Sequence, residues 1–211
     1  MKTLLVLMSI FAVCNSYAQE SVSLDDPDRV EIKLVDALDE PRSWCVDLFA
    51  HRQNALPLGG FQGHNCFLYM GLGPTEDQGF DAKRLADGQL YLVYWDVCVT
   101  LHDPNPGSFV AAEACNDGEA QQFDFRDDGQ IVSQMAPNLC LTMGATTVPG
   151  GGRLAPVGAR PPADNVDISQ IRRLTFENCE ADKSALQRWE LRNGDFQTAE
   201  PTQALRFLDP E

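Results

Sequence analysis

One short grammar is written three times in this chain, and nothing else in the sequence limits the fold as tightly. A cysteine, an apolar residue and then Asp or Thr occur at Cys45-Val46-Asp47, Cys98-Val99-Thr100 and Cys140-Leu141-Thr142. A second cysteine follows each time, at Cys66, Cys115 and Cys179. After it come Gln, one residue and a large aromatic: Gln78-Gly79-Phe80, Gln121-Gln122-Phe123 and Gln187-Arg188-Trp189. A unit this small cannot bury its own apolar face, so the three copies must share one core. The Gln-x-aromatic positions lie 43 and then 66 residues apart (78 to 121, 121 to 187). The excess falls in a Pro/Gly-rich stretch, 144–167, expected to be an exposed loop inserted in the third copy.

Between these landmarks the apolar residues alternate. Val30, Ile32 and Leu34, then Trp44, Val46 and Leu48, follow the period of a half-buried strand. Further short runs, among them 90–95, 97–101, 139–143 and 188–191, are separated by Asp-Gly, Asn-Gly and Pro-Gly turns. No stretch holds a helical period over three turns, and 16 glycines and 13 prolines interrupt the chain too often for one. The expected class is all-β, with about twelve short strands in three groups of four and copies near 30–92, 93–134 and 135–200.

Residues 1–18 combine Lys2, an apolar run from Leu4 to Val13, and the small residues Ser16 and Ala18. That is the pattern of a secretory signal peptide, too short for a membrane span, and a polar leader at 19–29 follows it. Cys14 leaves with the signal. The six remaining cysteines are even in number and lie outside any CxxC or Cys/His cluster, which in a secreted or periplasmic chain favours three disulfides over a metal. The repetition favours pairing within copies: Cys45 with Cys66, Cys98 with Cys115, Cys140 with Cys179. No metal and no cofactor are expected. The net charge is −15, from 31 acidic against 16 basic residues, and so acidic a surface repels phosphate backbones. Nucleic acid is therefore not an expected partner.

The combined pattern of paired cysteines and Gln-x-aromatic resembles the ricin-type lectin domain, a β-trefoil, over essentially the whole mature chain. The resemblance implies three four-stranded units that close a six-stranded barrel capped by three hairpins. Phe80, Phe123 and Trp189 would fill the core, and Gln78, Gln121 and Gln187 would bond nearby backbone. It also implies where sugar could bind. In the family an Asp two residues after the first cysteine accepts from sugar hydroxyls, an aromatic two before the second cysteine stacks on the ring, and an Asn before Gln-x-aromatic completes the clamp. A pyranose has one C–H face and a rim of hydroxyls, so it needs both a platform and fixed polar groups.

Only the first copy carries these parts or near substitutes. Asp47 stands at the Asp position, His64 at the stacking position, Asp77 in place of Asn, then Gln78, with Gln62 at a further polar position. Phe61 and Tyr69 are alternative platforms. Carboxylates near His64 are expected to favour its charged form. The second copy has Thr100, Glu113 and Ala120 at these places, and the third has Thr142, Glu177 and Leu186. Neither offers a platform.

The resemblance thus implies a secreted carbohydrate-binding protein with one shallow site and galactose-type glycans as partners. A single weak site would gain avidity in a homo-oligomer or beside a partner subunit, as in the cell-binding subunit of a toxin. The alternative is a protein-binding or protease-inhibitor-like trefoil without a working sugar site, touching its partner through Arg153 and Arg160 in the 144–167 loop. The chain is not expected to be an enzyme. It has three histidines and no Gly-x-Ser-x-Gly, phosphate loop or His-Glu-x-x-His.

Overall fold

The structure, a computed structural model of the 211-residue chain, describes residues 28–67, 74–150 and 169–193. The expected signal peptide at 1–18, most of the expected leader, Tyr69, residues 151 to 167 of the expected insertion with Arg153 and Arg160, and the chain beyond Asn193 lie outside the described residues.

The strands are Arg29–Leu34 (β1), Trp44–Leu48 (β2), Phe61–Asn65 (β3), Phe80–Asp81 (β4), Tyr91–Leu92 (β5), Val97–Leu101 (β6), Ser108–Glu113 (β7), Phe123–Phe125 (β8), Ile131–Ser133 (β9), Leu139–Pro149 (β10), Gln170–Asn178 (β11) and Trp189–Asn193 (β12). Two one-turn helices, Ala82–Ala86 (α1) and Ser184–Gln187 (α2), join them. They are too short to leave a periodic signature. The first is nucleated by the Asp81 side chain, which accepts from the Lys83 and Arg84 amides at 2.9 Å.

All twelve strands belong to one antiparallel sheet. β1 pairs with β2, β4 and β12, and β11 likewise with β3, β7 and β10. The hairpins β2–β3, β6–β7 and β10–β11 each start from a cysteine-bearing strand. Three disulfides, Cys45–Cys66, Cys98–Cys115 and Cys140–Cys179, tie each hairpin to the segment that follows it, in the pairing the repetition favoured.

The core forms where the strand patterns converge. Ile32 and Leu34 from β1, Trp44, Val46 and Leu48 from β2, and the aromatics Phe80, Phe123 and Trp189 are all buried in it. Phe123 stacks on Phe176 with centroids 5.4 Å apart, and Trp189 donates its indole N–H to Leu141 O at 3.0 Å. The Asp-Gly turns are part of the closure. Gly88 and Gly129 have φ near +88° and +87° and expose carbonyls that accept from Phe123 N and Trp189 N at 2.8 Å.

Four sequence expectations change. The strand at 90–95 is only Tyr91–Leu92, followed by a 3₁₀ turn at Val93–Trp95. β1 starts at Arg29, a leader residue that is buried. Phe61 is not a platform but a core residue, 2% exposed and 6.0 Å from the Phe80 ring. The start of the 144–167 stretch is regular strand: β10 runs to Pro149, pairing Thr147, Val148 and Pro149 with Arg172, Ile171 and Gln170 after a register shift beyond Met143. Pro149 closes an edge rather than breaking a ladder, which is where a strand tolerates it.

Candidate functional site

The glutamine of each Gln-x-aromatic performs the same task three times. In the first copy Gln78 donates from Nε2 to Asp47 Oδ2 (3.0 Å) and Asn65 O (3.2 Å), and its Oε1 accepts from Phe67 N at 3.0 Å. In the second, Gln121 donates to Thr100 Oγ1 and Ala114 O and accepts from Asn116 N. In the third, Gln187 donates to Thr142 Oγ1 and Asn178 O and accepts from Glu180 N. Each glutamine therefore satisfies the carbonyl just before the second cysteine and the amide just after it, and anchors both to the residue two past the first cysteine. All three glutamines are fully buried.

What differs is the anchor. Thr100 and Thr142 accept from their glutamine and donate back to Cys98 O and Cys140 O, so each hydroxyl is used as both donor and acceptor. A carboxylate cannot donate. Asp47 instead draws in a second amide: Gln62, opposite it on β3, donates Nε2 to Asp47 Oδ1 at 2.9 Å. The residues facing the two threonines are Ala111 and Thr175, neither of which can supply that donor in the same way. The first copy thus carries two side-chain amides on one carboxylate.

Asp47, Gln62, His64, Asp77 and Gln78 all come together here, and they are enclosed. Asp47, Asp77 and Gln78 are 0% exposed, while His64 and Gln62 form a lip at 4% and 9%. Burial, and next the nearby Asp77 charge, push the Asp47 carboxyl well above its usual range. Asp77, like Asp47, has no exposed surface, and its carboxylate is bonded within the protein. It accepts from Thr75 Oγ1 at 2.6 Å and from the Arg52 amide, fixing the loop at 51–54, where Arg52 has φ +46°. Arg52 in turn reaches Glu76 at 3.0 Å.

His64 departs from expectation. Burial outweighs the pull of the Asp77 charge and holds its pKa below the usual value, so the ring is neutral at pH 7. Its Nδ1–H donates to Asn65 O at 2.9 Å. One side of the ring is occupied by Phe67, 4.9 Å away and tilted 37°, and His51 meets Phe67 from beyond at 5.7 Å. Sequence reasoning passed over Phe67. The signal was present, because the other copies have Asn116 and Glu180 directly after the second cysteine.

Among the described residues one group has ligand atoms close enough for an ion: Glu31 with Cys45 and Cys66. Both sulfurs are in a disulfide and so are not thiolate ligands. A shallow hollow of about 490 Å³ lies elsewhere, between α1, β8 and β12, lined by Leu85, Phe123, Asp124, Phe125, Gln134 and Leu191. It includes none of the first-copy residues.

The chain is similar to two solved lectin structures. The agglutinin from Abrus precatorius matches over 83% of this chain and 52% of its own, with TM-score 0.52 and 19% identity. The β-trefoil lectin of the Vibrio vulnificus hemolysin/cytolysin, solved with N-acetyl-D-lactosamine bound, matches over 79% of this chain and 94% of its own, with TM-score 0.46 and 14% identity. The chain spans about half the length of the agglutinin chain it matches. No family model and no curated protein sequence matches it. Together with the all-antiparallel sheet and three disulfides, the likeness to the agglutinin supports a β-trefoil fold.

Proposed function

We propose that the protein is an exported carbohydrate-binding protein of ricin lectin type, with three four-stranded repeats, β1–β4, β5–β8 and β9–β12, and one sugar site in the first. This division moves the first boundary from residue 92 to before β5 and the second from residue 134 to before β9. The observation that carries the reading is the Asp47 anchor. Threonine satisfies the same glutamine in two copies, so the scaffold has no need of a buried carboxylate in the first. Three disulfides fit an extracellular or periplasmic setting. Two lectins among its structural neighbours favour binding over catalysis.

In this site the sugar engages the lip formed by Gln62 and His64. A hydroxyl replaces the Gln62 amide on Asp47, and the ring lies on the His64–Phe67 pair, with Gln78 holding Asp47 in place. One hydrogen bond is exchanged for another, so only a small surplus remains as affinity. The monomer accordingly binds nearer millimolar than nanomolar, and glycans of galactose type, presented many at a time, are the ligands to try first.

A second reading, a protein-binding or protease-inhibitor-like trefoil, draws on a different observation. Asp47 has no exposed surface, whereas Leu56, Leu58 and Phe109 present apolar side chains to solvent.

A glycan array with the oxidised, multimerised protein separates the two. Asp47→Thr is the decisive variant, since it copies the arrangement at Thr100 and Thr142 and keeps the fold. Binding by the parent that vanishes in Asp47→Thr and in His64→Ala supports the sugar site. Binding to no glycan overturns it in favour of the protein-binding reading, and binding indifferent to Asp47→Thr overturns the placing of the site in the first copy.

A further inference from the structure

The third copy reaches across to the first. Beyond its register shift, the β10–β11 hairpin leaves its own repeat and lies along β3, where Ile171 faces His64 and Arg172 faces Gly63. Three bonds fasten it there. Thr147 Oγ1 donates to Asp39 Oδ2 and Arg172 Nη2 donates to Asp39 Oδ1, both at 2.6 Å, and Gln170 N donates to the Asn65 side chain at 2.9 Å. The arm is therefore a fixed part of the first repeat's surface.

Strand alternation decides which of its side chains share a face with the candidate site. On β2, Trp44, Val46 and Leu48 point to the core, which leaves Cys45 and Asp47 on the opposite face. Arg172 lies over the Trp44 ring, 4.8 Å from its centroid, so Arg172 is on the core side and Ile171 is not. The register then lines up one row across four strands: Cys45, His64, Ile171 and Val148. Exposure rises along it, from 0% at Cys45 and 4% at His64, through half-buried Ile171, to 43% at Val148.

We infer that Ile171 and Val148 are specificity-determining residues of the first-copy site, forming an apolar shelf for an aryl substituent on the sugar held at His64. The inference rests on the reading of that copy as a sugar site. Strands are spaced about 4.8 Å apart, so the shelf starts about 5 Å from His64 and ends about 10 Å from it. That length accommodates one further group beyond a single pyranose. Two β-branched aliphatic side chains offer it dispersion and dehydration but no hydrogen bond, which selects a C–H surface over a hydroxyl-rich one.

Titration of the intact oxidised protein with methyl β-galactoside and with phenyl β-galactoside tests this. The phenyl glycoside is expected to bind about tenfold more tightly, and Val148→Thr with Ile171→Thr to remove that ratio while leaving methyl β-galactoside affinity unchanged. Both replacements stay β-branched and keep the strand. Equal affinities in the parent, or a preference that survives in the variants, overturns the shelf and leaves the sugar site standing. Failure of both glycosides to bind overturns the sugar site for galactosides and the shelf with it.

Discussion

The first copy and its two siblings use one clamp with two kinds of anchor. In all three, a buried glutamine holds the backbone on either side of the second cysteine. In the second and third, a threonine hydroxyl closes the circuit with nothing left over. In the first, a carboxylate needs a further donor and sits where its charge is costly. The contrast separates what the fold requires from what it tolerates: the glutamines are structural, and Asp47 is an addition that structure alone does not demand.

The comparison breaks most severely if the clamp itself is cut. Gln78→Ala orphans two backbone groups and takes a donor from Asp47, a loss on the order of 4 kcal/mol. Gln121→Ala or Gln187→Ala is expected to cost about 2 to 3 kcal/mol. Denaturant unfolding of the oxidised proteins measures the difference, and three equal losses would mean that the Asp47 anchor is no more demanding than threonine.

Moving the carboxylate is the next test. Thr100→Asp places an anion opposite Ala111, with no counterpart to Gln62, and should destabilise by about 3 kcal/mol at pH 7. Adding Ala111→Gln should restore part of that. If the single variant is as stable as the parent, the second copy accommodates a charge that its contacts do not explain.

The reverse exchange is gentler. The Asp47 pKa is raised on folding, so its contribution is whole below about pH 3.8 and declines as pH rises through the folded value. Asp47→Thr should therefore stabilise the protein by about 1 kcal/mol at pH 7, with the gain shrinking toward pH 4. Thermal melts across this range read it directly. A gain that grows on acidification would reverse the assignment of the burial cost.

The smallest effect belongs to His64, where the siblings have Glu113 and Glu177. Its folded pKa is lowered, so the unfolded chain takes up the proton first, and stability falls as pH drops below about 6.5. His64→Gln should flatten that slope by less than about 1 kcal/mol. Asp77, His51 and Arg42 are the charged or titratable neighbours acting on the ring. An unchanged slope would assign it to another group.

Much of this was legible in the sequence because repetition reports on shared packing. The disulfide partners follow from positions counted off the repeats, while the burial of Phe80, Phe123 and Trp189 and the grouping of Asp47 with Gln62 and Gln78 are implied by the resemblance to the ricin-type lectin domain. What the sequence hid was depth and reach. Position counting cannot say how deeply His64 is enclosed, because enclosure depends on neighbours from other strands such as β11, and so the charge argument missed the burial that outweighs it. Nor could composition separate the paired end of the 144–167 stretch from its remainder. Thr147 and Val148 become strand because a long-range partner, β11, is there to pair with them.

The pairing of β1 with β12 also sets a timetable. Glu31 meets Arg192 across 161 residues, and β1 from Val30 to Leu34 lines up against the last described strand. A contact so distant in sequence is slow to find, and it cannot exist until β12 has been synthesised. Until then β1 has lost one of its three neighbours and offers an open edge. Closing this sheet is thus a late step of folding, with the disulfides holding each hairpin while the first strand waits for the last.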